Sequence, residues 1–251
     1  MHVRTAALVG AAGGAGTTRT AVELAGTLAR ADRSVLVFDL DFATQGLSQS
    51  VGGRIDPDVT AVLTEDETSV TDAAISWTVP GDGQLHVLPA FAPFVDVATA
   101  KTPEVAEGVG DVLREATATY DHILLDVPPV VSNQAIAGVD VADRVAAVFP
   151  PTDRGIDSLQ RTKGRLEDVG SPLDLAIAAR TAESAAPADA DAIIPELPPK
   201  PAPDRPTTIG GGDDAVARVA ETAARLFDID LEIGADGDGP SIVDRALEKV
   251  S

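Results

Sequence analysis

A glycine-rich segment near the start of the chain contains the residues whose types and spacing best suit the binding of an anion. It runs from Gly10 to Thr20, with the sequence GAAGGAGTTRT, between a short apolar run and a stretch of helical periodicity. Such a turn between a strand and a helix presents backbone N–H groups and the positive end of the helix dipole to phosphate oxygens. We therefore predict a phosphate site, with the cofactor-binding residues Gly13, Gly14, Ala15, Gly16, Thr17, Thr18 and Arg19.

The glycine spacing taken alone fits more than one class of nucleotide-binding protein. Gly10, Gly14 and Gly16 have the spacing of the dinucleotide loop in short-chain dehydrogenases, and Asp39 ends the second apolar run, where a ribose-binding acid would lie. Dehydrogenase catalysis needs a tyrosine and a lysine one helical turn apart, whereas Tyr120, the single tyrosine, is followed by Asp, His, Ile and Leu. An NAD(P)-binding regulator of that fold therefore stays open as an alternative.

Several further segments, in a fixed order, resemble the ParA/MinD superfamily of deviant-Walker P-loop ATPases. Residues 12–25, AGGAGTTRTAVELA, are similar to the family's loop KGGxGKTTTAxxLA, and residues 35–48 resemble its switch I segment. Residues 120–129, YDHILLDVPP, resemble its Walker B and switch II segment, and residues 141–159 and 193–196 resemble the later strand, helix and IIPE-like signature. The resemblance implies a P-loop NTPase-like single domain with a doubly wound, mostly parallel sheet and helices on both faces.

The resemblance also implies roles for four polar side chains. Thr18, Asp39 and Asp126 match the family residues that surround the magnesium ion of a bound nucleotide, so they are the predicted metal-binding residues. Hydroxyl and carboxylate oxygens are suitable ligands for Mg²⁺, which keeps several waters. Asp41 matches the switch I acid near the attacking water, and it is the predicted catalytic residue if the protein hydrolyses ATP.

Both family lysines are replaced in this chain. Thr17 stands where the P-loop lysine would neutralise charge on the β- and γ-phosphates, and Ala12 stands at the second lysine position. We therefore expect a weakly binding pseudo-ATPase, with an active ATPase that uses Arg19 in place of lysine as one alternative and a nucleotide-free scaffold as another. The family's base-reading Asn is also replaced, by Ala179 ahead of Arg180.

Composition limits the function classes further. The net charge of −21 and the scarcity of lysine are typical of a salt-adapted (halophilic) cytoplasmic protein, and they disfavour DNA binding, which needs a local basic patch. The absence of cysteine excludes disulfides and thiolate metal sites. No run of 18 apolar residues occurs, so a membrane-spanning helix is not expected.

Apolar runs that alternate with amphipathic stretches predict βαβ units. The predicted strands are 5–9, 34–40, 85–88, 122–126, 144–149 and 173–178, with a short one possible at 192–194. The predicted helices are 18–31, 103–119, 132–141, 156–169 and 214–227.

The chain is predicted to form one P-loop domain over residues 1–233, followed by a spacer and a short amphipathic helix within 234–251. An acidic, proline-rich insertion interrupts the domain at about 181–213. The amphipathic helix, 242–250, is expected to pack on protein rather than on a membrane, because it carries Asp244 and Glu248. The family resemblance implies a homodimer and a protein partner that contacts the switch segments.

Overall fold

The computed structural model describes residues 3–198, 203–208 and 213–231. In these residues the strands are β1 (Thr5–Gly10), β2 (Ser34–Asp39), β3 (Ile75–Trp77), β4 (Gln84–Leu88), β5 (His122–Val127), β6 (Arg144–Phe149), β7 (Leu175–Ala179) and β8 (Ala192–Ile194). The helices are α1 (Thr17–Arg30), α2 (Val59–Thr64), α3 (Val70–Ala73), α4 (Phe94–Ala100), α5 (Pro103–Glu107), α6 (Val109–Ala116), α7 (Asn133–Val141), α8 (Asp153–Asp168) and α9 (Asp213–Phe227). The helix expected over 242–250 lies outside the described residues.

The strands form one eight-stranded sheet in the order β3-β4-β2-β5-β1-β6-β7-β8. Only the short edge strand β3 is antiparallel to its neighbour, β4, whereas the other neighbouring pairs are parallel. The predicted class, a doubly wound and mostly parallel sheet of P-loop NTPase type in a single domain, is therefore confirmed. Because parallel strands end at the same edge, the segments after β1, β2 and β5 lie side by side there.

The strand order rules out the alternative of a dinucleotide-binding fold. In the classic order of that fold, 3-2-1-4-5-6, the first strand lies next to the second. Here β1 pairs with β5 and β6, and β5 separates it from β2. The NAD(P)-binding alternative of short-chain-dehydrogenase type was therefore wrong, because glycine spacing is shared by both folds and does not specify strand order.

Apolar side chains cover both faces of the sheet. Helices α1 and α9 pack on one face, where Leu28 and Leu226 join the same buried cluster. Helices that include α2, α6 and α7 pack on the other face, where Leu113 and Val139 lie in a second cluster. None of the helices in the described ranges is long and apolar enough to cross a membrane.

Several local features differ from the sequence prediction, among them the short helices α2, α3 and α4, which were not predicted. The helix predicted over 103–119 is divided at Gly108, where tighter i to i+3 hydrogen bonds join Gly108 to Val105 and Asp111 to Gly108. Glycine is a poor helix former, which favours a break at this position. Strand β3 was not predicted, because a three-residue strand gives almost no periodic signal.

Candidate functional site

The glycine-rich segment forms a tight turn between β1 and α1. Gly14 and Gly16 have φ angles of 71° and 95°, in the left-handed region that favours glycine. Gly16 is the residue before the first helical residue, Thr17, and no side chain caps this helix end. The side chain of Thr17 packs closely on Gly10, since a Cβ at Gly10 would lie 2.8 Å from the Thr17 hydroxyl oxygen.

Several main-chain donors of this turn are not used by the described part of the protein. Ala15 donates to the Ala12 carbonyl at 3.2 Å, but the amides of Gly14, Gly16, Thr17 and Thr18 donate to no other described residue. No acidic side chain lies in the first turn of α1. The segment therefore offers a group of free N–H donors at a helix N-terminus, an arrangement that suits phosphate oxygens.

Two carboxylates lie side by side at the neighbouring strand ends. Asp39 on β2 is in register with Asp126 on β5, and both side chains are buried. The Asp39 carboxylate accepts hydrogen bonds from the amides of Asp41, at 2.9 Å, and Ala90, at 3.2 Å. Asp126 Oδ2 has no hydrogen-bond partner among the described residues. A buried carboxylate oxygen without a partner is costly unless a cation or water reaches it.

Burial raises the pKa of both carboxyl groups. The pKa of Asp126 rises to about 7, mainly because of burial, with a smaller effect from the charge of Asp41, and a hydrogen bond from Thr18 opposes the rise. The pKa of Asp39 is raised by burial and then by the neighbouring Asp126. Two like charges in a buried pair disfavour full ionisation, so the pair retains a proton near neutral pH unless a cation compensates it.

The side chain of the switch I residue Asp41 stabilises the turn that directly follows it. Its carboxylate accepts from the amides of Ala43 and Thr44 and from the Thr44 hydroxyl, the last at 2.6 Å. The chain then approaches the phosphate turn, since a Cβ added at Gly46 would lie 3.1 Å from the Thr18 hydroxyl oxygen. The structure thus brings Thr18, Asp126 and switch I together.

The residues present fit a hydrated magnesium ion held next to a phosphate. Thr18 would supply its hydroxyl, and Asp126 would supply the oxygen that lacks a partner, directly or through water. No group of three or more His, Cys, Asp or Glu side chains within the described ranges is arranged to hold a metal by itself. This chemistry therefore suits a cation that arrives with a phosphate ligand and completes its shell with phosphate oxygens and water.

Arg19 is directed away from the phosphate turn. Its Nε lies 2.7 Å from the buried Glu23 carboxylate, and its Nη2 donates to the Pro198 carbonyl and the Thr207 hydroxyl. A guanidinium held by three acceptors would have to leave them before it could reach a phosphate. Its predicted role as a lysine substitute stays untested, and these contacts argue against it.

A second arginine, which the sequence analysis gave no phosphate role, contacts the turn instead. Arg180 follows β7, and its Nη2 donates to the Gly14 carbonyl at 2.7 Å, across 166 residues of sequence. The alignment with the family placed Arg180 beside the base-reading position, but nothing in it indicated a contact with the glycine turn.

A family model described as an AAA domain matches residues 3–171, which is more than half of the chain. The chain is 31% identical over 183 residues to the chromosome partitioning protein ParA of Caulobacter vibrioides, a match that covers 68% of this chain and 66% of that protein. The chain belongs to the ParA/MinD superfamily of P-loop ATPases. It is 33% identical over 177 residues to the chromosome-partitioning ATPase Soj of Thermus thermophilus, covering 68% of this chain and 65% of that protein. The match thus spans slightly less than two thirds of these relatives' length.

The ParA/MinD-like fold also matches solved structures. The septum site-determining protein MinD of Pyrococcus horikoshii, in complex with Mg-ADP, superposes with a TM-score of 0.70 at 20% identity. That match covers 89% of this chain and 95% of MinD. At this identity the likeness shows the fold alone.

Proposed function

We propose that this ParA/MinD-like protein binds a magnesium-nucleoside phosphate, with ATP and ADP as ligands, and hydrolyses ATP slowly or not at all. The observation that carries the proposal is the group of free amides between Gly14 and Thr18 beside the unpartnered Oδ2 of Asp126. Main-chain donors bind phosphate without lysine, so the loss of both lysines weakens the site without removing it. A bound magnesium ion would neutralise phosphate charge and orient the nucleotide.

Slow hydrolysis follows from the absence of a cation on the loop. The segment from Gly10 to Thr18 contains no lysine, and Arg19 is bound to Glu23. In phosphoryl transfer the loop cation stabilises charge that develops on the transferred group, and removing one preorganised donor typically costs a factor of 10² to 10³ in rate. The protein therefore acts as a nucleotide-dependent positioning or regulatory factor of the cytoplasm rather than as a fast enzyme.

Exposed apolar side chains beside the switch segments support a protein partner or a second copy of the chain at this face. Phe94 is 86% exposed and Val131 is 72% exposed, and they follow β4 and β5 at the edge that carries the phosphate turn. Gln45 of switch I donates to the Ala92 carbonyl at 3.0 Å, which ties this region to the nucleotide site. Exposed apolar groups clustered at one edge are typical of interaction surfaces. Nucleotide binding at the switches would then control dimerisation and partner contact.

A ligand panel tests the proposal. Thermal unfolding in high salt is compared with no ligand and with millimolar Mg-ATP, Mg-ADP, NAD or NADP. Binding to the folded state alone raises stability as ligand exceeds its dissociation constant, so we expect stabilisation by Mg-ATP and Mg-ADP only. No stabilisation by either would overturn nucleotide binding and leave a scaffold. In a parallel assay, phosphate release well above the buffer blank would favour the active-ATPase alternative.

Restoring a loop lysine should raise nucleotide affinity. In Thr17→Lys the new ammonium group lies at the start of α1, and a charge-assisted contact with phosphate should tighten Mg-ATP binding by about 10-fold or more. Titration calorimetry measures this, and phosphate release should rise in the same variant. Thr17→Met has a similar length without charge and serves as the control. Equal affinities in the two variants would contradict the view that the missing loop cation is what weakens nucleotide binding.

A further inference from the structure

Arg180 is placed at the phosphate turn by the sheet. Strand β7 pairs with β6, which pairs with β1, so the carboxyl end of β7 lies near the turn that follows β1. A Cβ added at Gly16 would lie 3.8 Å from the Ala179 Cβ, which shows that the end of β7 packs against the turn. The next residue, Arg180, has a φ of 59° and an exposed side chain, and its Nη2 contacts the Gly14 carbonyl.

The charge of Arg180 is not neutralised by a carboxylate. Among the described residues it forms no ion pair, whereas Arg19 is paired with Glu23. A guanidinium carries five N–H donors, and the Gly14 carbonyl accepts from only one nitrogen. Arg180 is therefore a cation with spare donors, held directly against the turn that lacks lysine.

We propose that Arg180 binds the phosphates of the nucleotide and supplies the positive charge that the loop itself no longer carries. This inference rests on the proposed nucleotide binding at the same turn. A guanidinium binds phosphate oxygens with paired, directional hydrogen bonds, so an arginine from a neighbouring strand end can take this role. The chemical class of ligand is a nucleoside diphosphate or triphosphate.

Two variants distinguish whether Arg180 acts through its positive charge on the phosphates or only supports the turn through its hydrogen bond to the Gly14 carbonyl. Arg180→Lys keeps the charge, and Arg180→Gln keeps an N–H donor for the Gly14 carbonyl but removes the charge. Both side chains have a Cβ like that of arginine, so the left-handed backbone at this position strains them equally. The exposed Arg114→Gln on α6 is the control for removing one positive charge from an acidic protein.

Calorimetric titration with Mg-ATP and with Mg-ADP gives the readout, at two salt concentrations. Arg180→Gln should bind Mg-ATP about 10- to 100-fold more weakly than the natural chain, Arg180→Lys should lose clearly less, and Arg114→Gln should match the natural chain. The salt dependence of affinity should be smaller in Arg180→Gln than in the natural chain. Melting temperatures close to that of the natural chain confirm that both variants fold.

Three results would overturn the inference: natural affinity in Arg180→Gln, equal losses in Arg180→Gln and Arg180→Lys, or a greater loss in Arg180→Lys. The last two results would identify Arg180 as a brace for the turn. Absence of binding by the natural chain is a separate result, which overturns the proposed function and the inference with it. Because the natural chain is titrated first, the two failures are distinguished.

Discussion

The variant Asp126→Asn is expected to be more stable than the natural chain above pH 7 when neither nucleotide nor magnesium is present. Burial raises the pKa of Asp126 to about 7, from the usual value near 4, so ionisation in the folded state opposes folding. About three pKa units correspond to about 4 kcal/mol at most. Asparagine cannot ionise, and at about 2 to 4 °C for each kcal/mol the melting temperature should therefore rise by at most about 8 to 16 °C at pH 8.

The pH dependence gives the sign of this effect. Because the folded-state pKa of Asp126 lies above the unfolded value, the folded protein binds more protons between about pH 4 and pH 7. The natural chain should lose stability as pH rises through that range, and Asp126→Asn should lose less. The difference between the two proteins should therefore be small at pH 4 and fully developed at pH 8, as measured by thermal unfolding in buffers of equal ionic strength.

Under the proposed function, the natural chain should become more stable than Asp126→Asn when magnesium and nucleotide are present. Mg-ATP should stabilise the natural chain, because a cation neutralises the buried carboxylate pair, and it should stabilise Asp126→Asn much less. The exposed Asp140→Asn on α7 removes the same charge from the surface and should behave like the natural chain. Lower stability of Asp126→Asn at pH 8 without ligand would contradict the assignment of an unfavourable buried charge.

The carboxylate pair could be predicted from sequence because its position depends on simple geometry. Asp39 and Asp126 each lie at the end of an apolar run, and parallel strands end at one edge of the sheet. The family motifs added that both acids match residues around one magnesium ion, and the strand order places β2 next to β5. What the sequence did not contain was the burial of both groups, since burial depends on the loops that cover the strand ends.

The directions of the two arginines could not be predicted, because each has a partner that is distant in sequence. Arg19 was expected near the phosphate turn on the basis of its position alone. Glu23 lies one helical turn away on α1, but the contacts of Arg19 with Pro198 and Thr207 depend on segments 179 and 188 residues away. Likewise, Arg180 reaches Gly14 only because β7 lies two strands from β1 in the sheet. Side-chain direction at such a site is set by tertiary packing and not by local motifs.

A buried carboxylate fastens the segment 203–208, here called the proline-rich strap, to α1. Glu23 is fully buried and accepts hydrogen bonds from the amides of Thr207, at 2.9 Å, and Thr208, at 2.8 Å, as well as from Arg19. The strap also packs closely on Gly26, where a Cβ would lie 2.5 Å from Pro206 Cγ. One side chain thus satisfies two main-chain donors and one guanidinium.

Replacing Glu23 with alanine is expected to cost about 3 kcal/mol in the free energy of unfolding. The change leaves two buried amides and a partly buried cation without their acceptor, and removing one partner of a buried charged pair is strongly destabilising. At about 2 to 4 °C for each kcal/mol, the melting temperature should fall by about 6 to 12 °C. Glu23→Gln keeps one acceptor oxygen, so its loss should be smaller.

Hydrogen exchange distinguishes local release of the strap from general destabilisation. In Glu23→Ala the peptide with Thr207 and Thr208 should exchange much faster, while β5 at the centre of the sheet stays protected, since local opening requires less free energy than global unfolding. Glu221→Ala removes an exposed carboxylate that is paired with Arg218. This variant should change the free energy of unfolding by less than about 1 kcal/mol. Equal effects of Glu23→Ala and Glu221→Ala would show that the strap is held without Glu23, by Pro206 packing and by the hydrogen bonds of Asp204 and Thr208. Faster exchange in both the strap and β5 would show that Glu23 supports the whole domain.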